Sequence, residues 1–551
     1  MTITDRRIGV LLVVFVVLLV LGLLRASYLG AVKAGSLRRA AATQQVTEVT
    51  VPAPRGVITD RNGVELAISE SADDVIADPF LIKDPQAVAR ELAPLLGQPV
   101  ATVLAEVTKP HTGFVRLAHL LPAEQAVAIT NLHINGLNTI PGETRIYPRS
   151  SEAAQVLGFV GWNGNGLDGI EYQYNNALRG TNGLRRVVND AIGQPISVDD
   201  VRPARPGKTI ELTIDSALQS EMQQVLAGVG AQYSPQGATA IAVDPDTGAI
   251  LALANWPPVN INDPFASPPS SWEDQAVGFS YEPGSTFKAI TVAGALQDGL
   301  ITPSTMFDIP PALQVADREI HDAEGHGYEM LSTADILRVS SNIGADEIGA
   351  KLGAQRFDDW VHHFGFGAPT GVDLPGEQRG IVLRWWQYSG SSMANLPFGQ
   401  GESVTPMQMV AAYSAIANGG ILRAPHIVAA VGGKPVAVPA GRRVISPQVA
   451  YELRTMLRGV FADGGTASGA AIPGYDMAGK TGTANIAING TYSDSAYVAS
   501  FIGMLPTDSP KLVVAVVVDQ PQGAIYGGAV AAPAFQKIVG WAVPYMGVSP
   551  R

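Results

Sequence analysis

The stretch YEPGSTFKAI, residues 281–290, places Ser285 and Lys288 three positions apart behind a Pro-Gly pair. Pro283 and Gly284 end whatever precedes them and open a helix at Ser285, and residues i and i+3 of a helix share a face. Lys288 is thereby set to reach the Ser285 hydroxyl. Serine is a poor nucleophile without a base, and an ordinary lysine, with a pKa of about 10.4, is almost fully protonated at neutral pH. A working Ser-Lys pair therefore needs burial, the positive end of a helix or a second cation to push the amine down. No other lysine in the chain has a serine three residues before it. Taken alone, the pattern is equally an ordinary helix start with an exposed lysine.

Two further segments change that balance. ILRVSSNIGADEIGAKL, residues 336–352, carries Ser340 and Asn342. A hydroxyl at Ser340 can shuttle a proton between lysine and leaving group, and the Asn342 amide can hold Lys288 or a substrate carbonyl. By itself Ser-Ser-Asn is a helix cap or turn. Lys480-Thr481-Gly482-Thr483 follows GYDMAG and precedes ANIAING. Glycine on an edge strand permits close backbone approach, so a peptide can add to this strand while Lys480, Thr481 and Thr483 bind its carboxylate. The backbone N–H groups of Ser285 and Thr483 are candidates for an oxyanion hole, and Lys480 for the second cation beside Lys288. A surface turn with a lysine is the plain alternative for this motif in isolation. The three in this order, widely spaced, are a specific signature.

The whole chain sets bounds on these readings. At 551 residues it holds two or three domains. With 46% hydrophobic and 16% charged residues it can bury a large core. A net charge of −12 argues against a nucleic-acid footprint. The absence of cysteine excludes thiol catalysis, thiolate metal sites and disulfides. The histidines show no zinc-type spacing.

IGVLLVVFVVLLVLGLL, Ile8 to Leu24, is uncharged and almost wholly aliphatic. At about 1.5 Å per residue it spans roughly 26 Å, slightly under the ~30 Å hydrocarbon core, and reads as an uncleaved transmembrane anchor. A cleaved signal peptide is the competing reading, but its apolar core is normally shorter. Residues 1–7 then form a short cytoplasmic tail, and the bulk of the protein follows the span. Residues 25–48 read as a helical juxtamembrane stalk.

Beyond the stalk, DRNG at Asp60 to Gly63 reads as a hairpin turn. Residues 84–109 read as two short helices separated by Gly97 and Pro99, and 137–148 as extended chain. A Pro-rich seam at 194–215 precedes a helix at 215–227. A hairpin follows at 238–243 and 249–255, turning on DPDTG. Strands at 497–504 and 512–518 and a helix at 527–543 close the chain. Strands at both ends with a helical middle predict one antiparallel sheet assembled from distant segments and covered by helices.

The ordered trio resembles the penicilloyl-serine transferase superfamily, the penicillin-binding proteins and serine β-lactamases. RGVITDRNG at Arg55 to Gly63, GLDGIEYQYNNALRG at Gly166 to Gly180, GQGESVTPMQM at Gly399 to Met409 and GGAVAAPAFQKI at Gly527 to Ile538 narrow this to class B penicillin-binding proteins. The resemblance implies an α+β transpeptidase domain at 206–548, an elongated mixed α/β, dimerisation-like pedestal at 49–205, and one N-terminal transmembrane helix. It implies Ser285, Lys288, Ser340, Asn342 and Lys480 as catalytic and Thr481, Gly482 and Thr483 as substrate-binding residues, with no metal or organic cofactor. The implied substrates are peptidoglycan stem peptides, with β-lactams as mimics that trap the serine. The implied partners are a polytopic glycosyltransferase of the shape, elongation and division family and other divisome proteins.

Related activities are weighed on residues. No E-x-x-L-N segment of the kind used for lactam hydrolysis lies between Asn342 and Lys480, and a lactamase has no need of a pedestal. The pedestal also favours transfer to an amine over transfer to water. A scaffold or β-lactam sensor keeps the fold for binding alone, whereas all three motifs are intact here. TRIYPRSSEAAQVLGFVGWNGNGLDGIEYQYN, starting at Thr144, is nearer the division than the elongation branch. In that region Glu143, Arg145, Arg149 and Glu171 read first as solvated surface charges, and otherwise as ties within the pedestal or to a partner.

Overall fold

The computed structural model describes residues 3–35, 46–189, 195–316, 318–488 and 490–550. They form two compact units interleaved along the chain: Met1–Pro54, Ser71–Glu143 and Gly180–Gly207 in one, and Arg55–Glu70, Thr144–Arg179 and Lys208–Arg551 in the other. This division differs from a single boundary at 205/206. Segments 55–70 and 144–179 group with the larger unit because their apolar residues belong to its core. Ile58, Tyr147, Val156 and Ile170 share one cluster with Ile241 and Ile290, and Ile58 pairs with Ile210 in parallel.

In the smaller unit, the apolar N-terminal segment is a helix, Ile3–Ser27, ending in a π-type turn at Tyr28–Val32. Among the described residues it is the one helix long and apolar enough to cross a membrane. The stalk expected at 25–48 is helical through Val32, and its last three residues are strand. Residues 36–45 lie outside the described residues, and Val46–Val51 is a strand paired with Gly183–Asn189. The β-branched run VTEVTV favours strand over helix at that point. The two short helices fall at Pro85–Leu96 and Val100–Val107. Asp84 caps the first by accepting from the Ala87 N–H, and Gly97 ends it in the left-handed region, which costs glycine nothing. Val75, Leu92, Val103, Val115 and Ile129 form the core of this unit.

The larger unit is built on a five-stranded antiparallel sheet. Its strands are β1 (Gly237–Val243), β2 (Ile250–Trp256), β3 (Ala478–Ile488), β4 (Thr491–Leu505) and β5 (Leu512–Asp519). The order β2-β1-β5-β4-β3 is the predicted assembly from distant segments, with β3 at one edge. Both faces are buried, so β5 reads as the unbroken run LVVAVVVD. Its Val514, Val516 and Val518 turn to one core, while Val513, Ala515 and Val517 turn to the other. Helices α1 (Ser216–Tyr233) and, at the C-terminus, Gly527–Tyr545 cover the first face, through Met222, Leu226, Phe535 and Ile538. The second face packs on the helical middle, including α2 (Lys288–Gln297), α3 (Thr333–Val339) and α4 (Asn342–His363). The result is a sheet between two helical layers, with the KTGT segment on its free edge.

The charged segment at 143–171 corrects the surface reading. Arg145 and Glu171 are buried, not solvated. The Glu171 carboxylate accepts from Arg55 Nε at 2.5 Å and from Arg145 Nε at 2.7 Å. Arg55 also donates to the Gly164 and Glu171 carbonyls and to Asn175 Oδ1. Arg149 instead makes an exposed pair with Glu152.

Candidate active site

Ser285 lies in a single 3-10 turn, Gly284–Phe287, and the α-helix proper begins at Lys288. The turn is fixed from several sides. Gly284 takes a φ of +53°, its N–H donates to the Gly399 carbonyl at 2.9 Å, and the Thr286 carbonyl accepts from the buried Tyr413 hydroxyl at 2.7 Å. Left-handed backbone explains glycine before the serine.

Three short segments meet around one hydroxyl. Ser340 terminates α3 in the left-handed region, with φ of 65°, a conformation uncommon for a residue with a Cβ. The next residue, Ser341, caps α4 by accepting from the Gly344 N–H at 2.9 Å. This helix-to-helix corner aims Ser340 and Asn342 at the lysines. Lys288 Nζ donates to the Ser340 carbonyl at 2.5 Å, to Ser340 Oγ at 3.2 Å and to Asn342 Oδ1 at 2.8 Å. Lys480 Nζ donates to the same Ser340 Oγ at 2.8 Å and to the Thr481 carbonyl at 3.0 Å. The Ser340 hydroxyl thus bridges two lysines whose side chains are both 0% exposed.

Two cations share this volume, and among the described residues no carboxylate is hydrogen-bonded to either amine. Burial pushes Lys288 down to about 7, against the opposing pull of the Asp322 carboxylate. Burial pushes Lys480 well below its ordinary value, and the charge of Lys288 adds to that. The sequence reading gave the second cation as a cause for Lys288. Burial is the first cause at both, and the neighbouring amine adds to it at Lys480.

All three partners of Lys288 are acceptors, the arrangement of an ammonium. The Ser285 hydroxyl is not among them. Loss of one proton leaves two N–H donors and a lone pair free to turn toward the neighbouring Ser285. A neutral amine one turn from a hydroxyl, linked by a second hydroxyl to another amine, is a proton relay suited to acyl transfer.

The edge strand approaches closely. A Cβ on Gly482 would lie 2.3 Å from Ser500 Oγ, 2.9 Å from Thr286 Cγ2 and 3.0 Å from the Pro283 carbonyl, so only glycine lets β3 sit against the nucleophile turn. A Cβ on Gly284 would meet the Thr483 carbonyl at 2.9 Å. Thr483 Oγ1 accepts from the Gly527 N–H at 3.0 Å, leaving its own proton to donate. Thr481 Oγ1 pairs with Thr466 Oγ1 at 2.8 Å. The fold therefore brings Lys288, Ser340, Asn342, Lys480 and Thr481 into one hydrogen-bonded set, and places Ser285, Gly482 and Thr483 against it by backbone contact. Thr466, Tyr413 and Asp322 were not singled out from sequence. They lie outside the short motifs, and no spacing rule connects them.

The fold is that of the penicillin-binding transpeptidase class. Residues 238–540 match the model of the penicillin-binding protein transpeptidase domain, and residues 50–212 that of the penicillin-binding protein dimerisation domain. The chain is 34% identical to stage V sporulation protein D of Bacillus subtilis, over 100% of this chain and 87% of that protein. It is 30% identical to peptidoglycan D,D-transpeptidase FtsI of Escherichia coli, over 94% of this chain and 87% of that one. The crystal structure of penicillin-binding protein 3 from Mycobacterium tuberculosis complexed with aztreonam is similar at a TM-score of 0.72 and 30% identity, covering 91% of this chain and 98% of that one. The chain belongs to the class B penicillin-binding proteins.

Proposed function

We propose that this protein is a membrane-anchored peptidoglycan D,D-transpeptidase acting through a serine acyl-enzyme. The observation that carries the reading is the Ser340 hydroxyl shared between two buried, proton-poor lysines beside Ser285. Neutral Lys288 takes the Ser285 proton as the serine oxygen attacks the carbonyl between two terminal D-alanines of a stem peptide. The N–H groups of Ser285 and Thr483 receive the developing oxyanion. The tetrahedral intermediate collapses, the C–N bond breaks, and the departing D-alanine amine gains a proton through Lys288 and Ser340. An amine of a neighbouring stem then attacks the ester, restores Ser285 and leaves the cross-link. Lys480, Thr481 and Thr483 hold the donor's terminal carboxylate, with Gly482 keeping the strand close. A β-lactam enters as the donor and stays on Ser285.

The remaining assignments belong to the same reading. The N-terminal helix is the anchor, residues 206–548 act as the transpeptidase region on the extracytoplasmic side, and residues 49–205 serve as the pedestal. Similarity to peptidoglycan D,D-transpeptidase FtsI supports a septal role, with a polytopic glycosyltransferase and other divisome proteins as partners.

The test is covalent labelling by a fluorescent penicillin, wild type beside Ser285→Ala. Labelling is expected in the wild type and absent from the variant, and persistence in the variant overturns the nucleophile. Filamentation on depletion in the native host supports the septal role, and rounding contradicts it.

A further inference from the structure

Lys288 is held by Asn342, and Asn342 is itself held from a segment outside the three motifs. Oδ1 of Asp322 accepts from the backbone N–H groups of both Asn342 and Ile343, at the start of α4. The neighbouring His321 carbonyl accepts from Asn342 Nδ2 at 2.9 Å. Asn342 can then present only its Oδ1 to the amine. The other Asp322 oxygen meets His326 Nε2 at 3.1 Å, and His326 Nδ1 lies 2.7 Å from the Gly327 carbonyl. The result is a continuous chain, His326–Asp322–Asn342–Lys288, running from the partly exposed loop to the buried base.

We propose that Asp322 is a positioning residue for Lys288, fixing Asn342 through its backbone and supplying the negative charge that the amine feels, and that His326 modulates that charge. The inference rests on the reading of Lys288 as the base that activates Ser285.

The groups that face this chain are few. Asp322 opposes Lys288 electrostatically. Lys480 faces Lys288 across the Ser340 hydroxyl. His326 is faced by Asp322 and, from the strand Glu329–Ser332, by Glu329 at 3.6 Å. Both carboxylates and the Gly327 carbonyl hold His326 above its ordinary value. That pull favours the charged imidazole, and a charged imidazole beside Asp322 cancels part of the pull that keeps Lys288 protonated. The directions follow. Removal of the Asp322 charge lowers the pKa of Lys288, whereas removal of the His326 charge raises it.

The experiment is the rate of acylation by fluorescent penicillin against pH, for wild type, Asp322→Asn and His326→Gln, with thermal melting to establish folding. The acid limb is expected to move to lower pH in Asp322→Asn, by about half a unit or more, and to higher pH in His326→Gln. Asparagine keeps an acceptor oxygen for the α4 N–H groups, so its effect separates charge from shape. Limbs superimposable on wild type in folded variants overturn the proposal, as does a shift of the same sign in both. Where Asp322→Asn does not fold, the His326→Gln limb decides alone. A wild type that takes no label refutes the Ser285 reading instead, so the two failures are told apart.

Discussion

Two clusters in the larger unit bury a pair of cations, and they handle the charge in opposite ways. At Arg55 and Arg145, a carboxylate stands between the guanidinium groups. Glu171, 0% exposed, bonds to both, and further acceptors take up the Arg55 donors. At Lys288 and Lys480, a neutral hydroxyl stands between the ammonium groups, and burial drives both amines toward loss of their protons. The first arrangement places one carboxylate between two guanidinium groups and ties Arg55, Arg145 and Glu171 across the sequence. The second gives neither amine a carboxylate hydrogen bond among the described residues, which costs stability and yields a base at neutral pH. The comparison separates structure from chemistry: a carboxylate bridges the cations at the matched site, where the fold is pinned, and a neutral hydroxyl bridges them at the unmatched site, where a proton must move.

The largest expected effect is at the unmatched site. Lys288→Met removes the base and should slow acylation by about 10²- to 10⁴-fold. The same change fills the site with apolar volume, so the melting temperature should hold or rise. A fall in both readouts would show that Lys288 is part of the framework after all. The pH dependence of stability sharpens this. Lys288 sits at about 7 in the folded chain against an ordinary 10.5. Between those values the unfolded chain holds more protons, so stability increases with pH across that window. Denaturant titrations should show a shallower rise in Lys288→Met.

At the matched site the signs reverse. Glu171→Ala strands two guanidiniums and should cost about 3–5 kcal/mol in denaturant unfolding. The acylation rate per folded molecule should stay near wild type. A smaller loss is expected at the edge strand, where Gly482→Ala drives a methyl into Ser500 Oγ and the nucleophile turn. About 1–3 kcal/mol of strain is expected there, with slower acylation. The smallest effect belongs to an exposed pair. Lys511 and Asp246 lie 3.3 Å apart with both side chains more than half exposed, and Lys511→Ala should change stability by about 0–1 kcal/mol and acylation not at all.

Much of this was legible in the chain. Short motifs carry their own local geometry, so Ser285 and Lys288 fall at a helix start and Lys480 to Thr483 on an edge strand. The apolar runs at 238–243 and 512–518 are strands because a sheet covered on both faces needs no polar alternation. The left-handed turn at Ser340, which aims its hydroxyl between two lysines, was not legible. Serine at that position reads as a cap, and the strain is maintained by tertiary contacts. Nor was the burial of Glu171, whose partner Arg55 lies 116 residues away. Asp322 was invisible for the same reason: its bonds to the start of α4 reach across 20 residues of loop, strand and helix. The last residues of the expected stalk, 46–48, are strand because a β-branched run found a partner at 183–189.

The central claim is that burial leaves Lys288 neutral near physiological pH. The most direct measurement is the second-order rate of Ser285 acylation by a fluorescent penicillin from pH 5 to pH 10. The account predicts a rise to a plateau with a midpoint near 7, following loss of one proton from Lys288. A rate that is flat across the range, or that climbs only near the ordinary lysine value of 10.5, would contradict it.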